Sequence, residues 1–481
     1  MIDDVLLAKV WDLQLKNALD SPHHNLRRQR IFCAFNAITD AVVNFSEKEF
    51  KKQLLRCDLL GIANHIRDAK PVSVETREDF FSVFLQAFSR GKAMEIPSYN
   101  PALFQWFKAS FKEKMRMGGQ AGIISNQLAA LDVGNVCYSP ILSKEQSAHF
   151  NPHRVSFPVL MHGRLAYQKP VAAFKEGDPT KVNWIFEFRK GDTLRFGKRE
   201  IIAPRANRLI VASRPNKYLP MFPDEFESHL GQIAHSFDVF FLAGFQSFQK
   251  RMGGMHFRHC LRRLNWQLAQ LKASRHGKFH LEYVAIHDAE LDKAIYPTIL
   301  HNFDSLGINE VETVHFLRRI GDYPHAHELE RSETPINFYK GLRHIFHRFK
   351  LKRLHAHTLG YFLLLLRKDY VKRHSPQEFV NSLLFASRVA DARAYFGRPP
   401  ALADLKKLTR LKISKEGLIA IKGFAHGMFG ASDRARNFTL TGIMDAGDHY
   451  LIMVPTAIVT PKATVGLGDT ISSVAFASEP F

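Results

Sequence analysis

The sequence predicts an α/β protein: a parallel sheet with helices on both faces, accompanied by a section of sheet that lacks long helices. Two observations predict it. From Asp238 onward, strand and helix candidates alternate, the order that builds a parallel sheet. Between Val155 and Ser213, short β-rich runs are separated by turns instead. Taken in order, residues 31–35 (Ile-Phe-Cys-Ala-Phe) follow a basic stretch ending at Arg30 and read as an apolar strand running into a polar turn at 36–40. Residues 104–117 have helical spacing, Gly118-Gly119 interrupts it, and 121–131 resume as a helix. Short strands are expected at 156–160, 184–188, 193–196 and 208–212. Residues 239–243 form the next strand and end at Gly244, followed by a helix over 245–271, a strand over 280–286 and a helix over 290–304. Residues 310–312 follow a glycine turn, 354–358 form a strand, and the chain from 361 onward is expected to be helical.

The bulk numbers bound the class. With 481 residues, 46% apolar and 23% charged, the chain is globular and long enough for two domains. Its most apolar run, 359–366, stops at Arg367, well short of a membrane span. Asp3 and Asp4 stand where a basic region would open a secretory signal, and Cys33, Cys57, Cys137 and Cys260 lie far apart without metal-ligand spacing. The expectation is a cytoplasmic protein with buried thiols and no membrane contact. Net charge is +21, from 67 Lys and Arg against 46 Asp and Glu, which raises the question of a nucleic-acid surface. The basic residues are dispersed, however, without a basic tail or a nucleic-acid motif. Patches such as Phe346-His347-Arg348-Phe349-Lys350-Leu351-Lys352-Arg353 read as single segments, and a phosphorylated small substrate or a solvated basic face fits the charge as well.

In parallel sheets, ligands bind beyond the carboxyl ends of the strands. Gly244, Glu282, Glu312 and the stretch Gly466 to Asp469 all fall at such places. The last is the most informative. In Thr464-Val465-Gly466-Leu467-Gly468-Asp469-Thr470-Ile471-Ser472, two glycines uncover backbone N–H groups ahead of a run able to form a helix. Amides at a helix N-terminus attract an anion. A carboxylate there, Asp469, is best employed in taking a proton from a hydroxyl that attacks a phosphate. A capped helix after a glycine turn is the plainer alternative for this motif alone.

Several segments together resemble the ADP-dependent sugar kinases (ADP-dependent phosphofructokinase and glucokinase), an archaeal branch of the ribokinase-like superfamily. They are Asn36-Ala37-Ile38-Thr39-Asp40, Arg116-Met117-Gly118-Gly119-Gln120-Ala121-Gly122, Ile185-Phe186-Glu187-Phe188, Pro204-Arg205-Ala206-Asn207-Arg208, His280-Leu281-Glu282, Asn309-Glu310-Val311-Glu312, His355-Ala356-His357-Thr358-Leu359 and Gly466-Leu467-Gly468-Asp469. Each is weak alone, but their order along nearly the whole chain is specific. The resemblance implies a ribokinase-like large α/β domain from residues 1–40, 111–149 and 214–481. It also implies a small β lid from 41–110 and 150–213, with sugar bound in the cleft between them.

The resemblance also implies roles. Asp469 matches the catalytic base, with the amides of Gly466, Leu467 and Gly468 holding the transferring phosphoryl group and Arg205 reaching the nucleotide phosphates from the lid. Arg208 is read as structural. Glu282 and Glu312 would hold a hydrated Mg²⁺ beside the phosphates, an ion that prefers a few carboxylates and retained waters. Asn36, Asp40, Gly118, Gly119 and Gln120 match hydroxyl-binding positions. Many relatives carry a second Asn where this chain has Ile38, which removes one contact. His355, His357, Thr358 and Val454 are expected to line the nucleotide pocket with Gly466.

For the sugar, Glu95 occupies the position where glucose-using members carry a glutamate. Arg189, Lys190 and Arg214 resemble the phosphofructokinase side and suit a 6-phosphate. The expectation is therefore an Mg²⁺- and ADP-dependent kinase, acting as a monomer, that phosphorylates glucose and fructose 6-phosphate and releases AMP. An enzyme using one of these sugars, or an inactive nucleic-acid-binding or regulatory protein on the same fold, are the alternatives.

Overall fold

The computed structural model describes residues 3–480 apart from 59–61, 63–71, 198, 216, 274–275, 287, 409–410 and 463–465. Its frame is an eleven-stranded sheet. From one edge the strands are Ile443–Asp445, His449–Pro455, Tyr361–Arg367, Arg353–His357, Ser305–Ile308 and Lys278–Glu282. Val239–Ala243, Ile31–Phe35, Asn135–Tyr138, Val155–Met161 and Arg164–Gln168 complete it. Arg353–His357 through Val155–Met161 run parallel, and antiparallel strands close both edges. The central strands Ile31–Phe35 and Val239–Ala243 are buried at every position, as strands covered on both faces must be. After Ile31–Phe35 the chain builds outward to one side, and from Val239–Ala243 it builds outward to the other. The crevice at the carboxyl ends of this adjacent pair is the switch point where such sheets bind ligands.

A second sheet has five strands in the order Met94–Ser98, Asn207–Ser213, Val182–Phe188, Ile38–Asn44 and Lys114–Gly118. One face packs on a phenylalanine-rich core, in which Ala41, Val43, Phe186, Leu209 and Val211 meet Phe80, Phe84 and Phe88 of the helix Arg77–Arg90. The rings of Phe80 and Phe186 stand 4.6 Å apart. Strand side chains alternate between faces, so Asp40, Asn183, Glu187 and Arg208 share the opposite face. The strand Ile38–Asn44 of this sheet starts after only two intervening residues, Asn36 and Ala37, beyond the end of the strand Ile31–Phe35.

Several elements differ from the sequence expectation. Val155–Met161 and Arg164–Gln168 edge the large sheet rather than the small one, while Lys114–Gly118 joins the small sheet. Local β texture is the same in either sheet, so it cannot assign partners. The run Tyr361–Arg367 is a strand, not a helix. Its consecutive apolar residues suit a sheet interior and have no helical period. Residues 104–117 divide into the helix Pro101–Ser110 and the strand Lys114–Gly118. Ahead of the helix Phe257–Lys272 come a short 3₁₀ turn and the small hairpin Arg251–Met252 with Met255–His256, which turns on Gly253-Gly254. Glu310 and Glu312 belong to the first turn of the helix Glu310–Arg319.

Candidate active site

The helix Leu467–Ser478 starts at Gly466, whose φ of 75° lies in the left-handed region that favours glycine. Thr464 and Val465, which open the motif, lie outside the described residues. First-turn amides of a helix have no intrahelical acceptor, so those of Leu467 and Gly468 are available to an anion. A Cβ on Gly468 would stand 2.8 Å from Nε2 of His357, and one on Gly466 would stand 3.1 Å from Nη2 of Arg393. The backbone turn therefore lies close to the His357 imidazole on one side and to Ile123 and the Arg393 guanidinium on the other.

Asp469 lies in the same turn. Burial pushes its carboxyl up to about 6, and the nearby Arg393 charge opposes the rise. Its own charge in turn raises the carboxyls of Glu282, Glu312 and Asp40. Asp469 is thus within electrostatic reach of Asp40, Glu282 and Glu312, and Glu282 of Glu312.

Glu282 ends the strand Lys278–Glu282 and is buried against His280 (Nε2 to Oε2, 3.0 Å). The Ser472 hydroxyl donates to its Oε1 at 3.3 Å. Gly307 gives it room, because a Cβ there would stand 2.0 Å from Glu282 Oε2. Burial, then Asp469 and then Glu312, hold the Glu282 carboxyl well above its ordinary range. Glu312 closes a capping box: Asn309 N–H donates to its Oε2 (3.0 Å), and Glu312 N–H donates to Asn309 Oδ1 (2.9 Å). Burial takes its carboxyl to about 8. Buried, mutually repelling carboxylates with oxygen donors fit a hard, partly hydrated dication, and Mg²⁺ suits this donor set.

Among the residues expected to meet a sugar, Asn36 donates through Nδ2 to Gln120 Oε1 (2.7 Å), which also accepts from Gln246 (3.0 Å). Gly119 has a φ of 70°, and a Cβ there would stand 2.4 Å from the Asn36 carbonyl oxygen. A Cβ on Gly118 would stand 2.1 Å from Asp40 Oδ1. Burial takes the Asp40 carboxyl to about 7, against the pull of Arg116 (4.0 Å) and Arg208. Gly118→Ala is accordingly expected to displace Asp40 and raise the sugar KM at least tenfold with nucleotide binding unchanged, read by steady-state kinetics. An unaltered KM would remove Asp40 and Gly118 from the sugar site.

Glu95 pairs with Nη2 of Arg214 at 3.7 Å. Beside them stands Lys181, fully enclosed, its ammonium 3.0 Å from Ser247 Oγ and 3.7 Å above the Tyr218 ring. Burial first, and Arg214 second, hold the Lys181 amine well below its ordinary range, while Glu95 counteracts. The Oδ1 of Asn183 is buried without a hydrogen-bond partner.

Other expected residues lie elsewhere. Arg189 and Lys190 are exposed in the turn after Phe188, about 20 Å along the strand from Asn183 at the usual rise. They are not beside Asp40, whereas Arg214 pairs with Glu95. Arg205 is exposed ahead of the strand Asn207–Ser213, its side chain lying over Gly91. Arg208, read as structural from the sequence, is the arginine that shares the face of Asp40 and acts on its charge. His355 is fully buried beneath the C-terminal helix, with Nδ1 3.3 Å from Ser472 Oγ. Thr358 accepts from the N–H groups of Gly360 and Tyr361 and so shapes a turn, and Val454 is enclosed in the sheet. His355 and Val454 are therefore too enclosed to form an open wall, while Thr358 is half-buried at its turn. His357, which burial takes down to about 4, is the one of this group that touches the anion-binding turn.

A family model described as the ADP-specific phosphofructokinase/glucokinase conserved region matches residues 29–478. The chain belongs to this family. It is 30% identical to an ADP-specific phosphofructokinase of Methanosarcina acetivorans over 93% of its length and 92% of the relative's. It is 25% identical to an ADP-dependent glucose/glucosamine kinase of Pyrococcus furiosus over 98% of each chain. A solved ADP-dependent kinase in complex with fructose 6-phosphate and ADPβS superposes with a TM-score of 0.85 and 30% identity, covering 99% of this chain and 98% of that one. The chain is thus an ADP-dependent sugar phosphotransferase. No helix among the described residues is long and apolar enough to cross a membrane.

For this kinase the crowded carboxyls have a measurable consequence. Asp469, Asp40 and Glu312 titrate at about 6, 7 and 8, all above unfolded-state values near 4. A raised carboxyl stabilises the fold fully below the unfolded value and loses that contribution as pH rises through the folded one. The metal-free Tm is therefore expected to fall between pH 6 and 8.5. Mg²⁺ requires the ionised carboxylates, so it should raise Tm more at pH 8.5 than at pH 6.5. Equal Mg²⁺ shifts at the two pH values, read by calorimetry, would contradict a dication site at Glu282 and Glu312.

Proposed function

We propose that this kinase phosphorylates both glucose and fructose 6-phosphate and releases AMP, with Asp469 as the general base. The observation that carries the dual specificity is the placement of Glu95, Arg214 and Lys181 together beside Asp40. A carboxylate accepts hydrogen bonds from neutral sugar hydroxyls, and the Arg214 guanidinium, with the Lys181 amine as a further N–H donor, suits a sugar's own phosphate. Relatives bearing both names support the reading.

Asn36, Asp40, Gln120 and the amide of Gly119 hold and orient the sugar. Asp469 takes the proton from the acceptor hydroxyl as that oxygen attacks the β-phosphorus of ADP. The bond to the α-phosphate oxygen breaks, and AMP leaves. Negative charge gathers on the transferring phosphoryl group, where the amides of Leu467 and Gly468 and the guanidinium of Arg393 meet it. Arg208 neutralises the phosphates from the lid face. Glu282 and Glu312 would hold Mg²⁺, which would supply Lewis-acid neutralisation of phosphate charge. His280 and Ser472 fix the orientation of Glu282.

A coupled assay with each sugar, under ADP and then ATP, tests this proposal. ADP-dependent turnover of both sugars is expected. Turnover of fructose 6-phosphate alone would show that Arg214 neutralises Glu95 rather than sharing the site with it. Turnover of neither, beside a salt-sensitive RNA complex, would overturn the proposal.

A further inference from the structure

Among the described residues, two groups outside the cleft bring three His or Asp donor atoms within 4.8 Å of one another. In the first, His347–Asp448–His449, the buried imidazole already uses both nitrogens: Nδ1 meets Asp448 Oδ1 at 2.8 Å and Nε2 meets the Tyr339 hydroxyl at 3.0 Å. The second, Asp322–His325–His344, is different. Asp322 caps the helix Tyr323–Arg331 and is itself buried. Its Oδ2 lies 2.7 Å from His325 Nδ1 and 3.4 Å from His344 Nε2. That His344 nitrogen is buried and makes no hydrogen bond. His344 comes from the next helix, Pro335–Arg348, so the three donors staple a helical hairpin. The helix leads into the amino end of the strand Arg353–His357, opposite the catalytic end of the sheet.

We propose that Asp322, His325 and His344 bind a first-row divalent ion of the zinc type, with solvent as its fourth ligand. Tetrahedral Zn²⁺ with bonds of about 2.0–2.1 Å places its donors about 3.3 Å apart, which the 3.4 Å separation of His344 matches and the 2.7 Å hydrogen bond of His325 must open to reach. A cavity of about 520 Å³ opens onto His325 and His344 and leaves the fourth position to water. Lys340 and Arg343 line the same cavity, and Lys340 is paired with Glu328 at 2.9 Å. The remaining positive charge opposes any dication. Affinity must therefore come from the imidazoles, which selects a borderline ion over Mg²⁺ or Ca²⁺.

Cobalt(II) tests this on the full chain, because four-coordinate cobalt absorbs visible light far more strongly than the octahedral ion. With Mg²⁺ in excess to occupy the cleft, one equivalent of Co²⁺ should produce the strong four-coordinate spectrum, and one equivalent of Zn²⁺ should abolish it. His344→Gln and His325→Gln should each lose the spectrum and the Zn²⁺-dependent rise in Tm while keeping sugar-kinase turnover. His347→Gln should keep both. Absence of the four-coordinate spectrum, its persistence in His344→Gln, or weak octahedral bands that Mg²⁺ competes away would overturn the proposal.

Discussion

Asp469→Asn is expected to lower kcat by about 10²–10⁴-fold, the usual contribution of a positioned general base, while ADP binding stays within a few-fold of wild type. The amide keeps the size and the hydrogen-bonding reach of the carboxylate but cannot accept the hydroxyl proton. The N-terminal amides of the helix Leu467–Ser478 remain in place, so the phosphate seat is retained. A further signature comes from the carboxyl value of about 6. Turnover of the wild type should rise with pH through that region as Asp469 ionises, and this limb should be missing from the residual activity of the variant. Near-normal turnover, or an acidic limb that survives the substitution, would remove Asp469 from the chemistry.

Lys181→Met and Arg214→Met are expected to separate the two sugars. Each removes one N–H donor from the place assigned to the 6-phosphate. A hydrogen bond to a charged group contributes about 1.5–3 kcal/mol, so kcat/KM for fructose 6-phosphate should fall about 10- to 150-fold in each single variant. Methionine fills the space of the enclosed Lys181 stem against the Tyr218 ring, so the fold should tolerate the change. Glucose presents no phosphate, and its kcat/KM should stay within about threefold on that ground. Release of Glu95 from Arg214 leaves the carboxylate free to take glucose hydroxyls. Parallel losses for both sugars would mean that these cations act on the nucleotide or the fold instead.

What was legible in the sequence follows from how local each signal is. Asp469, Glu282 and Glu312 each sit in a short motif at an element end, and the structure places their charges within reach of one another. The choice between Arg205 and Arg208 depended on where a strand begins. Asn207 opens it, so Arg205 falls in the loop, and alternation then puts Arg208 on the face of Asp40. Arg189 and Lys190 failed for a related reason: their strand runs away from the cleft, and direction is not written in composition.

Lys181 and Arg393 were missed because nothing beside them resembles a motif. Faint signals existed. Arg393 is a cation between buried Ala392 and Ala394, and Lys181 precedes a strand by one residue at the end where Asn183 faces Asp40. The division into sheets was partly hidden as well, since Val155–Met161 and Val182–Phe188 carry the same β texture yet belong to different sheets.

A crystal structure of this chain with fructose 6-phosphate, Mg²⁺ and a slowly reacting ADP analogue tests the central claim most directly. Asp469 as base predicts its carboxylate within about 3.2 Å of the acceptor hydroxyl, with the β-phosphoryl group seated on the amides of Leu467 and Gly468. An acceptor hydroxyl approached by Asp40 or Glu95 instead, with Asp469 out of hydrogen-bond reach, would contradict it.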